Sequence, residues 1–297
     1  MEDLLQLVTT GLAMGMVYAV IALGFVMIWK SSGVANLALG PLVLISAWIA
    51  YAVLSPDALN LPAYVGLPLV VVLALVMGWV IERIVIRPLI AQPILSMITV
   101  TLGLGFCLEG MTTIIWPKSL APLPHLLPQE SISIGTATMS YEQLCTVIVG
   151  LILFVLLSLY FRYSRMGVVM RAAADDQLAV QACGVPVTRI FSRSWMFACV
   201  LAAVAGVLVA SIGGGISPAL TETGLRAFSV VILGGLDSFL GAIIGGPLIG
   251  LAEYVGGYYL TPLTWTGVRE VIPFVIIVII MFVKPYGLFG EKRIERI

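Results

Sequence analysis

The chain has 297 residues, of which 61% are apolar and only 10% are charged. Soluble domains carry roughly 25% charged residues, so this composition excludes an ordinary soluble protein and indicates a polytopic membrane protein. Fifteen basic and fifteen acidic residues balance each other, and no basic run resembles a nucleic-acid footprint. The four cysteines form no C-x-x-C pair and the one histidine, His125, has no companion ligand, which argues against a disulfide or a metal site.

Several stretches are apolar enough to cross a bilayer, which takes about 20 residues. They lie near residues 5–28, 39–56, 62–82, 93–116, 143–161, 194–213 and 270–284. The stretch 226–260 is also apolar, but glycines and Pro247 interrupt it, which is typical of a re-entrant pair or of two short helices packed inside protein. We therefore expect one transmembrane domain over residues 1–297. Its fold class is all-α: a polytopic transmembrane helical bundle with about eight spans and a glycine-rich broken-helix segment.

The placement of basic residues predicts the orientation of this bundle. Twelve of the fifteen Lys and Arg residues fall on one side of the bilayer if the N-terminus lies outside. Cytoplasmic loops carry an excess of Lys and Arg, so the sequence predicts an N-terminus outside the cytoplasm and a cytoplasmic C-terminus. Only Lys118, Arg226 and Arg269 are left for the other face. Residues 117–141, which are rich in proline, then form a periplasmic loop, and residues 162–193 a cytoplasmic one.

That cytoplasmic loop, here called the arginine segment, is unusual in a chain of this composition. It carries Arg162, Arg165, Arg171, Arg189 and Arg193. An Arg at the bilayer centre costs about 2.5–3.5 kcal/mol, so the segment must lie in water. Residues 166–182 are good helix formers, with Arg171 and Asp175 one turn apart on one face. Gly184 suits the left-handed position after a helix, and Pro186 prevents continuation. Such a short helix could insert into a groove of a partner protein and act as a rigid lever. The alternative is a surface helix that lies on the lipid headgroups.

Motifs for catalysis are missing from the sequence. The chain has no G-x-x-x-x-G-K-[ST] phosphate loop, so it cannot bind and hydrolyse ATP in that fashion by itself. It also lacks a G-x-S-x-G elbow and an H-E-x-x-H helix. These absences argue against an enzyme.

Ionisable residues inside spans point to a permeation path or a proton relay. Glu109 and Glu253 lie inside predicted spans, and Asp237 lies at the glycine-rich break. A gradient-driven carrier usually needs a coupled set of carboxylates, for which these candidates are few. A secondary carrier acting alone therefore remains the alternative to a subunit driven by a separate motor.

Four blocks of sequence occur in a consistent order along the chain. They are Gly15-Met16-Val17-Tyr18 with the residues to Gly24, Arg171-Ala172-Ala173-Ala174-Asp175-Asp176 with Gly184-Val185, residues 226–238 with 241–246, and Lys284-Pro285-Tyr286-Gly287-Leu288-Phe289-Gly290. Together they resemble the permeases of the branched-chain amino acid uptake family of ABC transporters, of the LivH type.

The resemblance implies a permease subunit of an ATP-driven importer in the bacterial inner membrane, moving branched-chain amino acids or a related apolar carboxylate. It implies a homologous second permease subunit, two cytosolic ATP-binding subunits and a periplasmic substrate-binding protein, with no cofactor on this chain because ATP is bound by the partners. Whether the two permeases form a heterodimer or a homodimer stays open. The helix of the arginine segment is then the coupling helix, and Arg171, Asp175, Asp176 and Gly184 are the expected ATPase coupling residues.

One stretch departs from the family pattern. The family commonly shows Asn-Phe-Ala-His-Gly and then a polar or acidic residue after the first span, whereas this chain has Asn36-Leu37-Ala38-Leu39-Gly40-Pro41. If this stretch faces the path, the path is more apolar than usual, which allows a larger or more apolar carboxylate than leucine, isoleucine or valine. We predict Asn36 as a polar contact near the path, with a capping role for the second span as the alternative. The expected translocation path comprises Asn36, Gly40, Gly234, Gly235 and Glu253.

Small residues also recur four positions apart, as in Gly11, Gly15 and Ala19 and in Ala198, Ala202, Gly206 and Ala210. Such stripes let two helix backbones approach closely. We expect these stripes to pack within the chain rather than to form a dimer seam.

Overall fold

A computed structural model describes residues 2–90, 92–128, 130–134, 137–175, 177–262 and 267–290. Eleven α-helices and one antiparallel hairpin account for most of this part of the chain. The helices are α1 (Glu2–Ser32), α2 (Leu39–Leu54), α3 (Ala63–Ile81), α4 (Ile94–Ile115), α5 (Tyr141–Tyr163), α6 (Arg165–Asp175), α7 (Gln177–Ala182), α8 (Val187–Ile212), α9 (Leu220–Gly234), α10 (Phe239–Leu260) and α11 (Val268–Val283). The hairpin pairs β1 (Ser131–Ile134) with β2 (Ala137–Ser140).

The prediction of an all-α polytopic bundle is confirmed. Within the described ranges, six helices are long and apolar enough to cross a membrane, namely α1, α3 with the turns that follow it, α4, α5, α8 and α10. Helix α2 is apolar but shorter, with 16 residues. Each of the seven uninterrupted apolar stretches found in the sequence coincides with a helix, the last of them with α11.

The glycine-rich stretch is broken at one place, between α9 and α10. Gly235 has a positive φ of 104°, and the Ser238 hydroxyl caps α10 by accepting a 2.9 Å hydrogen bond from the Gly241 N–H. The predicted broken-helix segment is thus confirmed, but the expected break at Pro247 is wrong, because α10 runs unbroken over 22 residues from Phe239 to Leu260. Proline is tolerated inside membrane helices where neighbouring helices support the freed backbone, and α1 packs directly on this turn of α10.

The described chain divides into two compact units. Unit 1 is made of the described residues of Met1–Val26, Pro128–Phe154 and Leu225–Ile297, and unit 2 of those of Met27–Leu127 and Val155–Gly224. Each unit therefore combines segments that are distant in the sequence.

In unit 1, α1 crosses α10 at a contact made by glycines. A Cβ placed on Gly15 would lie 2.6 Å from the Gly246 carbonyl oxygen, and one on Gly250 would lie 2.3 Å from the Gly11 carbonyl oxygen. Side chains with a Cβ cannot occupy such positions without moving a backbone, so only glycine permits this approach. The stripe of small residues on α1 packs within the chain, as predicted.

In unit 2, α8 packs against both α2 and α3. Gly206 of α8 faces the Val43 carbonyl of α2, where an added Cβ would be 2.7 Å from the oxygen. Gly78 of α3 faces the Trp195 carbonyl of α8 at the same short distance. The second stripe of small residues is thus also used within the chain.

Candidate functional site

A carboxylate and two guanidinium groups meet in unit 1. Glu253 of α10 is fully buried, and its Oε1 lies 3.1 Å from Arg226 Nη1 of α9 and 3.4 Å from Arg269 Nε of α11. Its Oε2 accepts a 2.9 Å hydrogen bond from the hydroxyl of Tyr18, which lies in α1. We call these four residues the Glu253 cluster. An ionised carboxylate inside a membrane bundle needs such partners, and the cluster joins four helices of the unit.

Neighbouring residues of α10 hold Arg269 in place. Its guanidinium carbon lies 3.7 Å from the centroid of the Tyr254 ring, a cation–π distance. Gly257, one turn after Glu253, leaves the room that the stem of Arg269 occupies, since a Cβ there would be 2.9 Å from Arg269 Cγ. Glu253, Tyr254 and Gly257 together thus fix the position of the Arg269 side chain.

The sequence indicated Glu253 as a path residue but not its partners. Arg226 and Arg269 are two of the three basic residues that the charge bias leaves on the side of the membrane opposite the other twelve. Both pair with Glu253. The third, Lys118, donates a 2.8 Å hydrogen bond to the Tyr51 hydroxyl and lies 3.8 Å from the Asp57 carboxylate. The bond with Tyr51 raises the pKa of Lys118 above its ordinary value. The basic residues that violate the charge bias were therefore the sequence signal that could have identified the partners of Glu253.

The two other acidic residues singled out by the sequence lie elsewhere. Glu109 is half-buried in α4 of unit 2, and its backbone carbonyl accepts hydrogen bonds from the Thr112 and Thr113 hydroxyls. Asp237 lies in the turn that precedes α10. Within unit 1 the structure thus joins Glu253 to two arginines and a tyrosine.

Asn36 lies in the turn before α2 and is buried. Its Oδ1 accepts a 3.0 Å hydrogen bond from the Ala38 N–H, while its Nδ2 has no acceptor among the residues described. The side chain borders a small cavity together with Ser32, Thr101 and Trp195. Asn36 shapes the turn into α2, and its contact with the path stays a prediction.

The three glycines of the expected path all make close backbone contacts. In unit 2, a Cβ on Gly40 would lie 2.3 Å from the Thr221 carbonyl oxygen. In unit 1, Gly234 lies against Gly241, and Gly235 lies against Gly290 of the C-terminal Pro-Tyr-Gly-Leu-Phe-Gly segment. These contacts explain why glycine is required there, and a role in the path stays a prediction.

The C-terminal segment closes the end of α9. The N–H groups of Leu288 and Phe289 donate to the carbonyls of Leu233 and Gly234 at 2.8 and 3.0 Å. The last carbonyls of a helix have no partner within it, so this segment supplies one from the other end of the chain. Gly287 has a positive φ of 79° in the turn that makes this possible.

The arginine segment contains α6, α7 and the beginning of α8. Helix α6 buries Gly167, Met170 and Ala173 along one face. Gly184 has a positive φ of 80°, and α8 begins directly after Pro186, so the predicted helix end is confirmed. Asp175 is the last residue of α6, and Asp176 lies outside the described residues. Helix α8 begins seven residues before the predicted span 194–213, because Pro186 suits the position before a helix.

Two contacts fix α6 to the end of α5. Arg171 donates from Nη1 to the Phe161 carbonyl, which lies near the last turn of α5. The Ser164 hydroxyl caps α6 by accepting a 2.9 Å hydrogen bond from the Gly167 N–H. A Cβ on Gly167 would meet the Phe161 backbone at 2.4 Å, so the two helix ends are in direct contact.

A groove of about 430 Å³ lies beside the loop that follows α7. It is lined by Ile90, Gln181, Gly184, Val185, Pro186, Val187 and Thr188. Its volume is in the range of ordinary small-molecule sites.

A family model described as "Branched-chain amino acid transport system / permease component" matches residues 7–281. The chain belongs to this permease family. The resemblance seen in the four sequence blocks is thereby confirmed, and the chain is a multi-pass membrane permease. Arg171, Gly184 and the whole Glu253 cluster lie within the matched residues.

Relatives matched over nearly their full length are named as permease proteins of branched-chain amino acid transport systems. The chain is 29% identical to the high-affinity branched-chain amino acid transport system permease protein LivH of Escherichia coli strain K12, over 99% of this chain and 97% of that protein. It is 27% identical to the permease protein BraD of Pseudomonas aeruginosa, over 99% of this chain and 98% of that protein.

A solved structure, PsaBC from Streptococcus pneumoniae in complex with Fab, is similar over 93% of this permease chain and 91% of its own chain. Its TM-score is 0.48 and its sequence identity is 16%.

Proposed function

We propose that this chain is the transmembrane permease subunit of an ATP-driven ABC importer that brings branched-chain amino acids or a related apolar carboxylate into the cell. It acts in the bacterial inner membrane with its N-terminus in the periplasm and its C-terminus in the cytoplasm. Its partners are a homologous second permease, two cytosolic ATP-binding subunits and a periplasmic substrate-binding protein. The observation that carries the proposal is the folded, arginine-bearing segment between α5 and α8 in a chain of this family.

The arginine segment supports a role as the coupling element. Its helix α6 has one buried face and leaves Arg165, Val168 and Arg171 exposed. The exposed basic surface of α6 and the groove of about 430 Å³ after α7 offer a partner both a charged surface and a cleft. A helix that only lay on lipid headgroups would need neither the groove nor the fixed turn at Gly184.

The same contacts suggest how force would reach the membrane. Arg171 and Gly167 fasten α6 to the end of α5, and the turn at Gly184 joins α7 to α8. A push on α6 and α7 from closing ATP-binding subunits would therefore move α5 and α8 as levers. Because α8 packs along α2 and α3, its tilt would carry much of unit 2 with it. This sequence of events follows the family by analogy.

The cargo proposal follows from the stretch that enters α2. Leu39 stands where the family commonly has histidine, and it is fully buried, as is most of α2. If this stretch faces the path when the transporter opens, its apolar surface selects an apolar side chain on the cargo and does not by itself reject larger ones. The proposal therefore covers branched-chain amino acids and related apolar carboxylates.

The test is ATP hydrolysis by the assembled transporter in proteoliposomes, with and without the loaded binding protein. The charge reversal Arg171→Glu with Asp175→Lys should reduce the stimulated rate several-fold while the basal rate of the ATP-binding subunits persists. Lys284→Glu, which reverses an exposed charge outside the segment, serves as the control and should keep the stimulation. Unchanged stimulation in the double variant would count against the coupling role.

One observation favours the alternative of a gradient-driven carrier. Glu253 is a buried carboxylate among α1, α9, α10 and α11, a position from which carriers move protons or ions. Uptake by the chain alone in ATP-free liposomes with an imposed gradient would support that alternative.

A further inference from the structure

The two arginines of the Glu253 cluster are bound differently. Arg226 has 18% of its side chain exposed, and its Nη1 donates to both the Glu253 carboxylate and the Tyr18 hydroxyl. Arg269 has 41% of its side chain exposed and approaches Glu253 only through Nε, at 3.4 Å. That Nε is buried without a hydrogen-bond acceptor among the described residues. Arg226 therefore serves to hold the helices of unit 1 together. Arg269, by contrast, is fixed through its Nε and its stem, while the outer edge of its guanidinium is exposed.

Among the described residues, no acceptor binds the terminal nitrogens of Arg269. Within the part of the chain that the structure describes, the guanidinium makes one ion pair through Nε and one ring contact with Tyr254. Glu253 is already shared, because its Oε1 faces both arginines and its Oε2 accepts from Tyr18. The outer edge of the Arg269 guanidinium thus keeps hydrogen-bond donors for a further acceptor.

The geometry of this side chain suits a carboxylate. A guanidinium presents parallel N–H groups that bind a carboxylate through two hydrogen bonds, which a lysine cannot reproduce. Tyr254 and the space over Gly257 fix the plane of the group beforehand, so less side-chain freedom is lost on binding.

We propose that Arg269 binds the carboxylate of the transported molecule, with Glu253 and Tyr254 as its positioning residues. This inference rests on the proposed function, since it assumes that the cargo is a small apolar carboxylate. It adds to that function a polar contact for the carboxylate end of the cargo.

Saturation-transfer NMR on the assembled transporter in nanodiscs of phosphatidylcholine, without ATP, can test the inference. The probes are L-leucine, L-leucinamide, which lacks the carboxylate, and 4-methylpentanoate, which keeps the carboxylate but lacks the amine. The unmodified transporter should bind leucine and 4-methylpentanoate at least about tenfold more tightly than leucinamide, the range expected for hydrogen bonds to a charged group.

Arg269→Gln should remove the preference for probes with a carboxylate. Arg269→Lys keeps the charge but not the parallel N–H groups of the guanidinium, so it should retain only part of that preference. Lys118→Gln removes a basic side chain of the same predicted face and should keep the full preference. The inference is overturned if Arg269→Gln keeps the preference, or if Arg269→Lys keeps all of it while Arg269→Gln fails to fold.

Uptake of leucine by the same complex with ATP separates the two proposals. If the unmodified transporter imports leucine but Arg269→Gln keeps the carboxylate preference, only the role of Arg269 is refuted. If the unmodified transporter, supplied with its binding protein and ATP, imports none of the three probes, the proposed function falls and this inference falls with it.

Discussion

The contact between α1 and α10 makes a quantitative prediction for Gly15→Ala. The new Cβ would lie 2.6 Å from the Gly246 carbonyl oxygen, whereas ordinary contact begins at 3.4 Å. The helices must therefore separate by about 0.8 Å at their closest point, the difference of those two distances. Overpacking of this kind costs about 1–3 kcal/mol. The measurement is the unfolding of the purified chain in mixed micelles titrated with SDS.

Gly103→Ala is the matched control. Gly103 lies in α4, another membrane helix, and a Cβ there would meet nothing within 4 Å. Both substitutions gain the same helix propensity, about 1 kcal/mol, so the difference in unfolding free energy between the two variants measures the packing cost alone. We expect Gly15→Ala to be the less stable by about 1–3 kcal/mol. Equal stabilities would refute the account of this contact.

A cycle with Gly246→Ala strengthens the same test. A Cβ on Gly246 would lie 2.4 Å from the Gly15 carbonyl oxygen, so it opens the same contact. Once one substitution has separated the helices, the second should cost less, and the double variant should lose less stability than the sum of the single ones. Additive losses would indicate that the two glycines act independently.

Three further predictions concern two glycine turns, the Glu253 cluster and the contact between α6 and α5. Gly287→Ala combines a φ of 79° with a Cβ 2.6 Å from the Gly235 nitrogen, whereas Gly184→Ala has a φ of 80° and open space. The first should therefore cost clearly more than the roughly 1–2 kcal/mol of left-handed strain expected for the second, as measured by thermal unfolding. Glu253→Gln leaves two arginines without their shared carboxylate and should destabilise by about 3 kcal/mol, while Glu109→Gln should change stability little. Arg171→Ala removes the donor to the Phe161 carbonyl and should speed proteolysis of the arginine segment, whereas an unchanged cleavage rate would show that the bond does not hold α6.

The helices were predictable because hydrocarbon leaves few choices. A long apolar run in a membrane must satisfy its own backbone, so the runs at 93–116 and 143–161 specify α4 and α5 almost by themselves. The turn at Gly184 was equally accessible, because a glycine followed two residues later by a proline is a local signal. These features depend on nearby residues alone.

The misjudged features depend on contacts between distant residues. Pro247 does not end α10 because α1, more than two hundred positions earlier, packs on that turn. The C-terminal end of α9 is likewise completed by the C-terminal segment of the chain through the Leu288 and Phe289 N–H groups. The residues near Pro247 or at the end of α9 do not indicate which distant segment will pack against them.

The Glu253 cluster shows the same limit for the candidate site. A carboxylate inside a span signals a partner, but Tyr18, Arg226 and Arg269 come from three other helices. The charge bias offered a partial signal, since it marked Arg226 and Arg269 as exceptions without saying what they bind. A rule that looks for buried acids to match such exceptional arginines would have found the cluster.

The most direct test of the account is uptake of labelled leucine by proteoliposomes of defined composition. The account predicts uptake only when this permease, its partner permease and both ATP-binding subunits are present with ATP on the nucleotide side and the binding protein on the other. Uptake by this chain alone, without ATP, would contradict it.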